Sequence, residues 1–94
     1  MKINLRRRAQ ADLDAIWDYT YDRWGVEQAD FYVQEIRRTI EQLAQDVPVS
    51  SDVAHLHRGL RKARAGSHLV YFFEGEQLDV VRILHERQDA ASLI

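Results

Sequence analysis

The spacing of hydrophobic and polar residues switches along this chain between a period of two and a period near 3.6, and each switch marks a new element. Residues 2–6 (KINLR) alternate, with Ile3 and Leu5 on one side, which predicts a short strand. From Ala9 the step lengthens: Ala9, Leu13, Ile16, Trp17, Thr20 and Trp24 recur three and four apart and predict the inward stripe of a helix of about four turns. Gly25 ends that helix, because glycine accepts a left-handed C-terminal conformation without a steric penalty. Ala29, Tyr32, Val33, Ile36, Ile40, Leu43 and Ala44 then form the stripe of a longer helix that stops before Pro48, since the residue ahead of a proline avoids the helical region. Residues 47–59 (VPVSSDVAHLHRG) read as a loop. Leu60–Ala65, His68–Glu74 and Gln77–His85 follow as three strands, separated by Gly66-Ser67 and Gly75-Glu76, which are read as two-residue hairpin turns with glycine first.

Two helices joined by one or two residues lie as an antiparallel hairpin, and neither hides its stripe without a third layer. That layer is the sheet. The predicted fold is α+β in the order β-α-α-β-β-β: a three-stranded antiparallel meander, extended by the N-terminal strand and covered on one side by the helix pair. Residues 1–94 make one domain with a modest core, with no repeat or linker. The last strand is unusual. With period two, Leu78, Val80, Arg82 and Leu84 share one face and Asp79, Val81, Ile83 and His85 the other, so both faces are largely apolar. The side without helices calls for another chain or for the C-terminal tail AASLI. Arg82 must then be paired, with a helical aspartate for instance, or reach a cleft, because an unpaired buried charge costs several kcal/mol.

Charge sharpens this picture. The net charge is -2, yet residues 9–46 carry three basic and nine acidic side chains (-6), and the rest carry ten basic and six acidic (+4). The surface is therefore expected to be bipolar. Asp14, Asp18 and Asp22 repeat every four residues along the first helix, as a solvated acidic face or as the counterpart of something basic. The stretch HLHRGLRKARAGSH (residues 55–68) holds Arg58, Arg61, Lys62 and Arg64 and no acid. These cations, with Arg82, His85 and Arg87, are expected to gather into one basic surface for phosphates or an acidic protein segment. Six large aromatics (Trp17, Tyr19, Tyr21, Trp24, Phe31 and Tyr32) fall within sixteen residues, more than one small core accepts, so some form an exposed partner-binding patch. There is no cysteine, which excludes disulfides, thiolate metal sites and a cysteine nucleophile. His55 and His57 lack a third ligand, and no phosphate-binding glycine loop, zinc-peptidase helix or nucleophile elbow occurs, so no metal or cofactor is expected. No apolar run approaches the ~20 residues of a membrane span, and the N-terminus is unlike a secretory signal. A cytoplasmic protein in a reducing compartment is expected.

Taken together, these residues resemble the ParE branch of the RelE/ParE toxin superfamily. The resemblance is carried by Leu5, Ala9, Asp12-Leu13, Ile16 and Tyr19; by Trp24-Gly25; by Leu60-Arg61, Gly66-Ser67-His68 and Tyr71; and by the ending Val81-Arg82-Ile83-Leu84-His85. It implies the toxin of a type II toxin–antitoxin pair that inhibits DNA gyrase without being an enzyme. It also implies a ParD-like antitoxin, assembled as a heterotetramer or larger hetero-oligomer, through which alone the toxin meets operator DNA. Under that resemblance Arg58, Arg61, Arg64, Arg82, His85 and Arg87 form the toxicity surface, and Tyr21, Trp24, Phe31 and Tyr71 bind the antitoxin. Two departures stand out. Arg6 occupies the first helix's N-cap, where family members often have serine, and the tail ERQDAASLI lacks the C-terminal tyrosine or histidine of the mRNA-cleaving RelE cousins. Two other readings remain at this point. One is a RelE-like ribosome-dependent mRNA endonuclease, with His85 and Tyr71 as acid–base groups and Arg61 and Arg82 on the phosphate. The other is a non-toxic antitoxin-binding co-repressor.

Overall fold

The computed structural model describes residues 1–45 and 50–94. Its elements run β1 (Lys2–Leu5), α1 (Arg7–Trp24), α2 (Val26–Ala44), β2 (Ser51–Asp52), β3 (Arg61–Ala65), β4 (His68–Glu74), β5 (Gln77–His85) and α3 (Ala90–Leu93). The fold is α+β, as expected. The sheet order is β1-β5-β4-β3-β2, with β1 parallel to β5 and the remaining neighbours antiparallel. The two-residue β2 falls in a segment expected to be loop; it pairs with Arg61 and Lys62. The second helix ends at Ala44, and the expected stop at Pro48 lies outside the described residues.

Gly25 alone joins the helices. At φ 89° and ψ 179° it adopts a backbone conformation open essentially to glycine, donating its N–H to Tyr21 and accepting from Ala29. It closes one helix and opens the other. At the opposite end of α1, Arg6 makes no side-chain cap, as its residue type predicts. Its backbone N–H is satisfied instead by Val80 of β5, 3.0 Å away, which anchors the helix start to the sheet.

The helix-side core unites Ala9, Leu13 and Ile16 of α1, Val33, Ile36, Ile40 and Leu43 of α2, and Ala63, Ala65, Val70, Phe72, Leu78, Val80 and Ile83 of the sheet. The opposite face has its own smaller cluster of Val53, Leu60, Tyr71 and Leu84, covered by Leu56, Ala90, Leu93 and Ile94. Of the two covers expected there, the chain's own tail is the one seen. The period-two assignment of β5 needs correction. A bulge lies between the pairs Tyr71–Arg82 and Phe72–Val80, leaving Val81 as the extra residue. Beyond it the faces exchange: Val80 and Ile83 face the helices, whereas Val81 and Leu84 face the tail. The β4–β5 turn also differs, for Glu74 pairs with Leu78 across three residues and Gly75 does not take a positive φ. Only the β3–β4 turn has its glycine, Gly66, in the left-handed region, at φ 61°.

Candidate functional site

Beyond Leu5 the chain leaves the sheet for α1, so the outer edge of β5 loses its strand neighbour. Asp12, in the second turn of α1, replaces that neighbour. Its carboxylate accepts the Ile83 N–H at 2.8 Å and grips the Arg82 guanidinium through two bonds, at 2.9 Å from Nε and 3.0 Å from the terminal nitrogen. Arg82 also donates to the Leu93 carbonyl at 3.0 Å, so it fastens the tail to the helix side. Only about 14% of its side chain is exposed, and the Asp12 bonds raise its pKa further against the opposing effect of burial. A cation in the buried strand is therefore a structural tie, held by the fork geometry that makes bidentate arginine–carboxylate pairs strong.

The expected single cluster of cations does not form. Arg64 pairs with Glu86 at the β3–β4 turn end of the sheet, and this contact, more than His85 or Arg87, draws the Glu86 carboxyl below its usual value. Arg61 lies at the other end of β3, about 10 Å from Arg64 along an extended strand, and donates to the hydroxyl and carbonyl of Ser50. Arg58 is exposed in the loop before it, and Arg87 is exposed just after β5. Two groups and one tie replace one surface, because a five-residue strand separates residues that are close in sequence. Tyr71 is only 4% exposed, under the tail face, where burial raises its pKa; it presents no binding surface. His85 lines the helix side, so the acid–base and phosphate set considered for RNA cleavage is not assembled. Among the described residues no group of three or more His, Asp or Glu is placed to hold a metal, and no helix is long and apolar enough to cross a membrane.

The aromatics divide as expected. Trp17 and Tyr32 pack against the core, Trp17 donating to Asp30 and stacking on Tyr21 at 5.1 Å. Tyr19, Tyr21, Trp24, Val26 and Phe31 are each about half exposed or more, with Trp24 at 63% and Phe31 at 60%. Trp24, placed by its spacing in the inward stripe, turns outward because α1 has run past the sheet to the hairpin tip. Beside these residues opens a cleft of about 780 Å³ between α1, the start of α2, the β3–β4 turn and the end of β5. Ala15, Ile16, Tyr19 and Trp24 supply apolar wall; His68, His85 and Arg87 lie at the polar end.

Sequence reasoning missed the organisation of that end. The Tyr32 hydroxyl accepts the Ser67 N–H at 3.0 Å and lies 2.6 Å from Nδ1 of His68, locking α2 to the β3–β4 turn. Gly66 permits this approach, since a Cβ there would stand 2.9 Å from the tyrosine ring. The rings of His68 and His85 meet edge to face at 5.2 Å. Burial first, and His85 second, hold His68 down to about 4, so it is neutral near pH 7. The Gly66-Ser67-His68 triplet was the one local signal; its partner Tyr32, 35 and 36 residues earlier, had none.

Comparison with known proteins accounts for nearly the whole chain. A family model described as "ParE toxin of type II toxin-antitoxin system, parDE" matches residues 3–90. Toxin ParE1 of Caulobacter vibrioides is 42% identical over 86 residues, covering 92% of this chain and 90% of that protein. Toxin ParE1 of Mycobacterium tuberculosis is 47% identical over 83 residues, covering 86% and 85% respectively. Among solved structures, the chromosomal ParDE TA system from P. aeruginosa superposes with a TM-score of 0.73 at 28% identity, over 90% of this chain and 95% of that one.

Proposed function

Because the chain belongs to the ParE toxin family of type II toxin–antitoxin systems, we propose that it arrests growth by binding DNA gyrase and that a ParD-like antitoxin silences it by covering its exposed aromatics. The toxin role and an antitoxin partner follow from the family. The gyrase target is what the resemblance of the sequence to ParE toxins implies. The observation that carries the antitoxin surface is the apolar area left uncovered at the hairpin tip: Tyr21, Trp24 and Phe31 on two helices, beside an open cleft. Large exposed apolar patches mark partner sites, and an amphipathic segment laid in a groove is a common way to fill one.

The gyrase-contacting surface is assigned to the exposed Arg64 and Arg87 at the β3–β4 turn, with the half-buried His85 beside them, and to the exposed Arg58 with the half-buried Arg61 at the far end of β3. Arg82 serves it indirectly by fixing the end of β5. The complex is a cytoplasmic hetero-oligomer, a heterotetramer or larger, that meets operator DNA through the antitoxin. The test is the triple substitution Arg58→Ala, Arg64→Ala and Arg87→Ala in folded protein. Growth arrest on induction without antitoxin and inhibition of gyrase supercoiling are both expected to fall at least tenfold. Unchanged inhibition would remove the surface assignment. Cleavage of mRNA on translating ribosomes without any effect on gyrase would replace the target, and normal growth with soluble wild-type protein would leave only antitoxin binding.

A further inference from the structure

We propose that the polar end of the cleft, formed by His68, His85 and Arg87, receives a carboxylate carried by an otherwise apolar segment of the antitoxin. This rests on the antitoxin reading above and deepens it. The chemistry follows from where the ring protons lie. His85 Nδ1 accepts the Arg87 backbone N–H at 3.1 Å, so a neutral His85 carries its proton on Nε2. The Tyr32 hydroxyl accepts from Ser67, and we assign its own proton to His68 Nδ1, the arrangement that uses both its donor and its acceptor capacity, which places the His68 proton on Nε2. Both histidines are therefore donors at Nε2, which also makes them poor metal ligands there. Arg87 adds a cation with no carboxylate within ion-pairing distance among the described residues.

The other charged groups around this corner are engaged. Among the described residues Asp12 from α1 is the one acid lining the cleft, and Arg82 with the Ile83 N–H occupies both its oxygens. Glu86 is held by Arg64 from β3. Tyr32 from α2 is used by Ser67 and His68. Ala15, Ile16 and Ile83 make an apolar wall that continues into Tyr19 and Trp24 of the exposed patch, and the remaining lining groups, such as Thr20 and Gln28, are uncharged. An apolar segment with one acidic side chain matches both parts, and a charge-assisted bond to a guanidinium is stronger than a neutral one.

A carboxylate here also favours the charged form of His68, which burial and His85 otherwise suppress. Binding is then coupled to proton uptake at His68 and tightens as pH falls from about 6.5 toward 4. Two measurements test the proposal in the purified toxin. In nitrogen-15 NMR of the histidine rings, 4-methylpentanoate is expected to shift His68 and His85, while its amide and inorganic phosphate at equal ionic strength do not. In calorimetry with the full-length cognate antitoxin, Arg87→Met is expected to weaken binding at least tenfold with the thermal midpoint unchanged, and His68→Gln to flatten the pH dependence. Antitoxin binding that is equally tight and equally pH-dependent in both variants would overturn the carboxylate site and leave the antitoxin reading intact. A wild-type toxin that binds no antitoxin would overturn both. Ring shifts with phosphate alone would overturn the carboxylate in favour of a phosphate-bearing ligand.

Discussion

The two faces of the sheet are built by different means. The helix side is a continuous core to which both long helices and strands β1, β3, β4 and β5 contribute, with Phe72, Ile36, Leu13, Leu78 and Val80 at 1% exposure or less. The tail side is a patch of four buried residues roofed by a loop and a four-residue helix whose own residues are all partly exposed. The difference teaches where the fold tolerates change. Apolar burial stabilises by about 25 cal/mol per Å², so stability resides mainly with the helices. The tail side is a thinner cover, held by Arg82 as much as by packing. Arg82 joins the two, through Asp12 on one side and the Leu93 carbonyl on the other.

That contrast can be broken from either side. Phe72→Ala should be the most damaging change, lowering unfolding free energy by about 4 kcal/mol, because it empties a fully buried site on the helix side. Urea denaturation of the toxin without antitoxin measures it. Asp12→Ala should follow, at about 3 kcal/mol, since it strands the Arg82 charge and the Ile83 N–H together; the double variant Asp12→Ala with Arg82→Met should recover part of the loss. Acid should act through the helix side. His68 is held down to about 4 when folded and returns to its ordinary value near 6.5 when unfolded, so the unfolded chain binds more protons between those values. Stability should therefore fall from about pH 6.5 to 4, by about 1 to 2 kcal/mol after allowance for solvent screening, and His68→Gln should remove most of that slope. The tail side answers to alkali instead, because the raised pKa of Tyr71 lets the unfolded chain lose its proton first above about pH 10. Leu93→Ala should be the mildest of the packing changes, about 1 kcal/mol, as its side chain is only partly covered. A cost at Leu93 equal to that at Phe72 would erase the distinction between the faces.

Much of the architecture was legible because it is periodic. The stripes of α1 and α2, the glycine between them and the three meander strands were each visible within a window of a few residues. The division of the aromatics was legible for a related reason: six bulky rings exceed what one small core accepts, wherever each ring points. The functional site was legible only as a list of types. Arg58, Arg64 and Arg87 are exposed but do not gather with Arg61 and Arg82 into the one surface expected, and Tyr71 is buried because its environment is made by Leu60, Leu84 and the tail.

The sequence by itself determined the order of elements, the faces of the two helices and the segregation of charge, since these depend on neighbours along the chain. Tertiary structure alone decided that Val81 is an extra residue, that Asp12 caps the edge of β5 across 70 and 71 positions, and that Tyr32 meets His68 across a glycine. The physical reason is that a bulge, an ion pair and a close approach are fixed by which surfaces meet on folding. Residues tens of positions apart leave no periodic trace in the chain that carries them.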